Sequence, residues 1–290
     1  MISNFDPLKL KKLYIPPPNS HKGQNGKLLV IGGSKLFHAA SLWSLKVASR
    51  IVDMVFYSSV PQNNQIVMEA KKEFRDGIVI PRNKIEDYIQ EADCILIGPG
   101  LPRKKGQEAG DDDTKTLTES LLKKYSQKKW VIDGGSLQVL DSEILALLKN
   151  PILTPHSREF EHLKLKIKNE KLKIAMQNAK LEKQVELFSQ HYNCVVLLKG
   201  PTDIVCNQKE CVLINGGNAG MTKGGTGDVL AGLTAALCCK NADPFLVASC
   251  ASYINKKAGE SLFAKAGYYF NASDLADEIP RVMRELIIDI

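Results

Sequence analysis

No apolar run in this 290-residue chain approaches membrane-spanning length, and its N-terminus lacks the apolar core of a signal peptide. A cytoplasmic protein without a membrane segment is therefore expected. There is no Cys-x-x-Cys pair, and Cys206 and Cys211 have no histidine partners at zinc-ligand spacing. Most of the seven cysteines (Cys94, Cys194, Cys238, Cys239, Cys250) lie inside apolar runs, so reduced, buried thiols are expected. No aromatic-plus-basic repeat or zinc-finger spacing supports a nucleic-acid module; the formal charge of +7 suits an anionic small molecule. The full G-x-G-x-x-G dinucleotide fingerprint is also missing, since the first strong strand stops at Gly32-Gly33-Ser34. Asn271-Ala272-Ser273 matches a glycosylation sequon, which without secretion is chance.

What the chain has in quantity is glycine in one place. Six glycines fall in the thirteen positions from Asn215 to Gly227. Asp228 and an apolar run (Val229, Leu230, Leu233, Ala236, Leu237) follow at the spacing of a buried helix face. Gly224 to Gly227 thus read as a loop feeding a helix, with Asp228 in its first turn. Free N–H groups and the positive dipole end at such a terminus favour a phosphate. A carboxylate held there is a candidate base for activating a hydroxyl, and the dipole should keep it ionised at neutral pH. The bland alternative is an ordinary turn with an aspartate cap.

Composition is that of a globular protein. Residues 1–20, with Pro16-Pro17-Pro18, read as an irregular leader; residues 21–290 read as one α/β domain without an internal linker. Apolar strands at Lys27–Ile31, 53–60, Cys94–Ile97, Trp130–Ile132, Ile152–Leu153 and Val195–Leu198 alternate with helices at 39–52, 84–92 and up to about 126. Ile204-Val205 and Val212–Ile214 read as antiparallel additions around a turn at Asn207. Lys-rich 163–190 reads as a solvated amphipathic helix, and helices are expected over 228–239, 244–265 and 273–287. The charged stretch with Arg103-Lys104-Lys105 and Asp111-Asp112-Asp113 reads as a solvated loop. Near-continuous apolar strands between helices predict a mostly parallel sheet covered on both faces. Strand after strand ends in glycine plus a polar residue, and ligands of open α/β sheets bind beyond such carboxyl ends.

The ordered set His21-Lys22-Gly23, Val30-Ile31-Gly32-Gly33-Ser34, Gly98-Pro99-Gly100-Leu101, Leu153-Thr154-Pro155-His156…Glu159, Leu198-Lys199-Gly200 and Gly224-Gly225-Thr226-Gly227-Asp228-Val229-Leu230-Ala231-Gly232 resembles the NAD(P)H-hydrate dehydratases over about residues 20–285. The resemblance implies a three-layer α/β/α ribokinase-like fold with a mostly parallel central sheet. It implies a lyase that returns hydrated NADH or NADPH to the reduced cofactor, consuming ADP or ATP with Mg2+, through phosphorylation of the ring hydroxyl and elimination of phosphate. It places Ala40, Gly100, His156 and Asp228 at the hydrated nicotinamide nucleotide. Lys199, Gly200, Pro201, Thr202, Asp203 and Gly227 fall at the adenosine nucleotide. Gly224, Gly225, Thr226 and Gly227 form an anion hole, with Asp228 as catalytic base. It fixes no metal ligands. Members commonly form tetramers, which implies a homo-oligomer.

Several positions depart from the family pattern. Phe37, Ala39 and Ser41 stand where Tyr, Gly and Pro are common, and Asp133-Gly134-Gly135 replaces Asp-Ala-Asp. Pro102–Asp113 replaces a tighter glycine-rich turn, and Lys223 stands where a small residue is usual, close enough to the proposed anion hole to assist phosphate binding. Two rivals share the same residues: a ribokinase-like kinase of a small vitamin precursor, and a nucleotide-binding sensor without turnover.

Overall fold

Alternation of short apolar strands with helices yields one ten-stranded sheet in the computed structural model, which describes residues 2–103 and 107–289. In chain order the elements are β1 (Ile2–Asn4), β2 (Lys27–Ile31), α1 (His38–Ala48), β3 (Met54–Ser58), α2 (Pro61–Ala70), β4 (Ile78–Val79), α3 (Ile85–Glu91), β5 (Cys94–Ile97), α4 (Thr114–Lys124), β6 (Lys129–Ile132) and α5 (Gly134–Val139). There follow β7 (Ile152–Leu153), α6 (Ser157–Leu165), α7 (Glu170–Gln177), α8 (Leu181–Tyr192), β8 (Val195–Leu198), β9 (Asp203–Cys206), β10 (Cys211–Ile214), α9 (Thr226–Lys240), α10 (Pro244–Ala266) and α11 (Ala272–Ile287).

The sheet order is β1-β10-β9-β8-β7-β6-β5-β2-β3-β4. Every pair is parallel except those of β9, which runs against both β8 and β10. Alternate residues of a strand face opposite sides, so β2 sends Leu28 and Val30 into one core and Leu29 and Ile31 into another. Helices α1, α9, α10 and α11 close the first core; α3, α4, α6 and α8 close the second. A three-layer arrangement follows. The tightest join is α1 on α9: a methyl group on Gly232 would lie 2.6 Å from the Ser44 Cα, so only glycine lets these helices approach.

Four expectations need correction. The segment expected as an irregular leader carries β1, paired with β10, and a 3-10 turn at Pro7–Lys12 whose Leu10 is buried. The expected helix over 163–190 is three helices: Asn169 caps α7 through the Leu172 N–H, and Leu163, Ile167, Leu172, Met176, Val185 and Phe188 all face the core. Interspersed lysines mask that buried side in the sequence.

The aspartate run is not merely solvated. Asp111 accepts from the Lys35 N–H (2.9 Å), Asp112 receives two bonds from the Arg82 guanidinium (2.7 and 3.1 Å), and Asp113 caps α4 through the Thr116 N–H (2.7 Å). Arg82 also donates to the Ser58 carbonyl, so this loop is fastened across the ends of β3 and β4. Lys104 and Lys105, read with it as a charged stretch, lie outside the described residues. Finally, Cys206 and Cys211 are directly opposed on β9 and β10 and form a disulfide, whereas Cys94, Cys194, Cys238, Cys239 and Cys250 are free and buried. Among the described residues no helix is long and apolar enough to cross a membrane.

Candidate active site

The carboxyl ends of β5, β6, β7 and β8 open on a crevice that α9 enters by its N-terminus. Gly225 caps α9 with φ +96°, and a methyl group there would meet the Trp43 ring at 2.3 Å, so the turn into the helix requires glycine. Thr226 spends its hydroxyl on the carbonyls of Met221 (2.6 Å) and Lys223 (2.9 Å), closing the loop on itself. Its N–H also turns back to the Lys223 carbonyl at 3.4 Å. The N–H groups of Gly224, Gly225 and Gly227 make no hydrogen bond among the described residues, leaving three donors at a helix terminus. Ser44 on α1 fixes the first turn by donating to the Asp228 carbonyl oxygen at 2.8 Å.

Beside that terminus lies a buried charge cluster. Lys199, at the end of β8, places Nζ 2.9 Å from Oδ1 of Asp133, at the end of β6; Thr154, at the end of the intervening β7, donates to the same oxygen at 2.7 Å. The ammonium also lies 3.3 Å from where a Gly227 side chain would begin. His156 caps α6 through Nδ1, while Glu159 answers from the third position with a bond to the His156 N–H, a reciprocal capping box. Nε2 of His156 is 3.3 Å from Oε1 of Glu159, which also accepts from Gln138.

Electrostatics follow from this geometry. Burial first, and the neighbouring Asp133 and Glu159 charges next, push the Asp228 carboxyl up to about 7 against the pull of Lys199. This corrects the expectation that the helix dipole keeps it ionised at neutral pH: desolvation and two like charges raise it. Burial opposes the charge of Lys199, yet Asp133 and then Glu159 raise its pKa and keep it an ammonium. Burial also opposes ionisation of Glu159, but the His156 bonds and the Lys199 charge hold it at about 2. A carboxyl poised near neutrality beside a fixed cation is suited to proton transfer.

A cavity of about 570 Å3 opens alongside. His156, Lys199, Gly200, Pro201, Asp203, Thr226 and Gly227, all singled out in the sequence, line it together. Thr202 does not; its hydroxyl turns to Asn215 at 2.7 Å. Ala40 and Gly100 meet on the other side of the crevice, where a methyl group on Gly100 would stand 3.0 Å from the Ala40 Cβ. Lys223 turns away from the helix terminus: its ammonium bonds the Tyr268 carbonyl, lies 3.5 Å from the Gly220 carbonyl and 5.2 Å over the Phe270 ring.

The model of the NAD(P)H-hydrate dehydratase family matches residues 28–281. The chain belongs to that family. It is 36% identical over 284 residues to the bifunctional NAD(P)H-hydrate repair enzyme of Methanocaldococcus jannaschii, covering 95% of this chain and 51% of that one. It is 34% identical over 294 residues to the ADP-dependent (S)-NAD(P)H-hydrate dehydratase of Nitrosopumilus maritimus, covering 95% of each. The chain thus spans about half of the first relative and nearly all of the second. In fold it is similar to a ribokinase-like superfamily protein of Enterococcus faecalis (TM-score 0.80, 22% identity, 99% of this chain and 96% of that one), in keeping with the α/β/α layers expected from the sequence.

Against that family frame, three polar residues of α10 at or behind the cavity wall were missed in the sequence. Ser252, Asn255 and Lys256 lie on α10; Asn255 and Lys256 line the cavity. Ser252 and Lys256 both reach Asp203, at 2.7 and 3.4 Å, and Lys256 also bonds the carbonyls of Gly200, Pro201 and Gly216. Their signal was polar residues at i, i+3 and i+4, one face of the helix, among its buried positions.

Proposed function

We propose that this member of the family is an ADP-dependent NAD(P)H-hydrate dehydratase, with the glycine-loop end of the cavity as the site of phosphoryl transfer. The observation that carries the reading is Asp228, in the first turn of α9 next to Gly227, which lines a nucleotide-sized cavity, with its carboxyl in the field of the Lys199–Asp133 pair. In this reading the adenosine nucleotide occupies the cavity and its phosphates meet Gly224, Gly225 and Gly227. The hydrated nicotinamide lies toward Ala40, Gly100 and His156. Asp228 accepts the ring-hydroxyl proton as the oxygen takes the terminal phosphoryl group of ADP, releasing AMP. The new phosphate ester then loses phosphate, with the proton of the adjacent ring carbon passing to phosphate or water, as the ring double bond re-forms. The amide donors and the Lys199 ammonium stabilise the charge that develops on the phosphoryl oxygens.

Mg2+ fits this site in one way. Among the described residues no cluster of three or more His, Cys, Asp or Glu side chains could hold a metal. Entering with the nucleotide, the ion would be held chiefly by phosphate oxygens and water, as magnesium commonly is, and would supply charge neutralisation there. The cytoplasm, where both nucleotides occur, is the proposed location, and a homo-oligomer, of tetrameric size, the proposed state. The family match favours the dehydratase over the vitamin-precursor kinase.

The test is recovery of reduced-nicotinamide absorbance from hydrated NADH, using protein stripped of bound ligand. Recovery is expected with ADP and Mg2+ and absent without nucleotide. Equal recovery in the two conditions overturns the reading, and nucleotide binding without recovery identifies a sensor.

A further inference from the structure

We propose that Asn255 reads the base of the bound nucleotide, its side-chain amide pairing with the 6-amino edge of adenine. The inference rests on the assignment of the nucleotide to this cavity. Asn255 is 5% exposed and lines the cavity wall. Its carbonyl oxygen is buried with no hydrogen-bond partner among the described residues. The polar residues around it on α10 are provided for: Ser252 bonds Asp203, and Lys256 bonds three backbone carbonyls and lies beside the same carboxylate. A buried amide left unpaired is costly unless something else enters to satisfy it.

The surroundings specify what enters. Leu230 lies one turn along α9 from Gly227, and with Met221 and Pro201 it gives the cavity apolar walls. Gly227 and Lys199 mark the phosphate end, so the ligand group reaching Asn255 is flat, apolar on its faces and polar at its edge. A purine base has that shape. An asparagine amide offers one acceptor and one donor side by side, and rotation of the group exchanges them. Adenine offers the complement: an exocyclic amine next to a ring nitrogen acceptor.

The experiment compares kcat/KM for ADP with that for purine riboside 5′-diphosphate, which lacks the 6-amino group, in the parent enzyme and in Asn255→Leu. The parent is expected to prefer ADP by about tenfold, the scale of one buried hydrogen bond. Asn255→Leu is expected to lose that preference, through a fall with ADP alone. The ratio is taken within one preparation, so it is independent of the fraction folded; Asn255→Ser serves if the leucine variant is insoluble. A preference that survives both substitutions overturns the proposal, as does an equal fall with both nucleotides, which marks a structural role. Photolabelling with 8-azido-ADP tests the underlying assignment separately. Adducts within Ala219–Thr222 support it, and adducts confined elsewhere overturn it whatever Asn255 does.

Discussion

Asp203 and Asp228 border the same crevice and are treated in opposite ways. Asp203, at the start of β9, accepts from the Gly200 N–H at 2.8 Å and the Ser252 hydroxyl at 2.7 Å, with the Lys256 ammonium at 3.4 Å. Both of its carboxylate oxygens are engaged, and the turn Gly200–Thr202 hangs from it. Among the described residues the Asp228 carboxylate accepts no bond from another side chain, and it faces two like charges, Asp133 and Glu159. Buried polar groups are normally satisfied. A satisfied carboxylate shapes the loop, whereas one denied partners keeps its proton affinity available for a reaction. The resemblance assigned both residues to ligands; Asp203 lines the cavity and also holds the loop beside it.

The comparison breaks most readily at Asp228. Asp228→Asn is expected to lower turnover by at least ~10²-fold, the lower range for loss of a general base, with nucleotide binding largely kept. Steady-state kinetics on hydrated NADH within a few-fold of the parent would place the base elsewhere. Asp203→Asn should do the reverse: kcat nearly kept, nucleotide KM raised, and the fold weakened by about 2 kcal/mol in urea titration because Lys256 loses its counter-charge. If kcat falls as steeply as in Asp228→Asn, the two carboxylates are not distinct in kind.

A third expectation concerns pH. Because the Asp228 carboxyl stands at about 7, kcat should rise through neutrality, and Lys199→Met, which removes the cation favouring the ionised form, should move that rise to higher pH. The same shift bears on stability. An acid harder to ionise in the folded than in the unfolded chain costs stability increasingly as pH rises from the ordinary carboxylate range through about 7. Asp228→Asn should therefore gain roughly 1 to 2 kcal/mol at pH 8, discounted for partial exposure, and almost nothing at pH 4. Thermal melts that show the same gain at both values would remove the electrostatic account. The smallest effect is expected at Lys223, whose ammonium is engaged with Tyr268 and Phe270. Lys223→Ala should leave nucleotide affinity unchanged across a salt series.

Much of the fold was legible because parallel strands buried on both faces announce themselves as apolar runs, and their glycine-bearing ends mark the crevice. The glycine loop and Asp228 were legible for the same local reason. What escaped reading depends on partners distant in sequence. Lys199 meets Asp133 across 66 residues, and Ser252 meets Asp203 across 49, so neither bond has a local signature. The three aspartates before α4 looked like solvated charge because Arg82 and Lys35, which engage two of them, lie in other loops. The break of 163–190 into three helices was hidden by lysines on its outer face, although Asn169 carried the capping signal. The opposition of Cys206 and Cys211 was latent in the antiparallel pair around Asn207, but the cysteine reading rested on compartment rather than register.

Reversal of β9 has a consequence for engineering. Because β9 runs against its neighbours, it begins at the crevice and ends at the opposite side of the sheet, where Asn207–Glu210 turns the chain into β10. That exposed turn sits a full strand's length from the crevice, and the Cys206–Cys211 bridge closes its base. A peptide tag or fluorescent reporter inserted between Gln208 and Lys209 would be tethered at both ends to a fixed point, leaving Asp203 and the loops at the catalytic mouth in place. The antiparallel strand thus separates a permissive site for insertion from the residues that must not move.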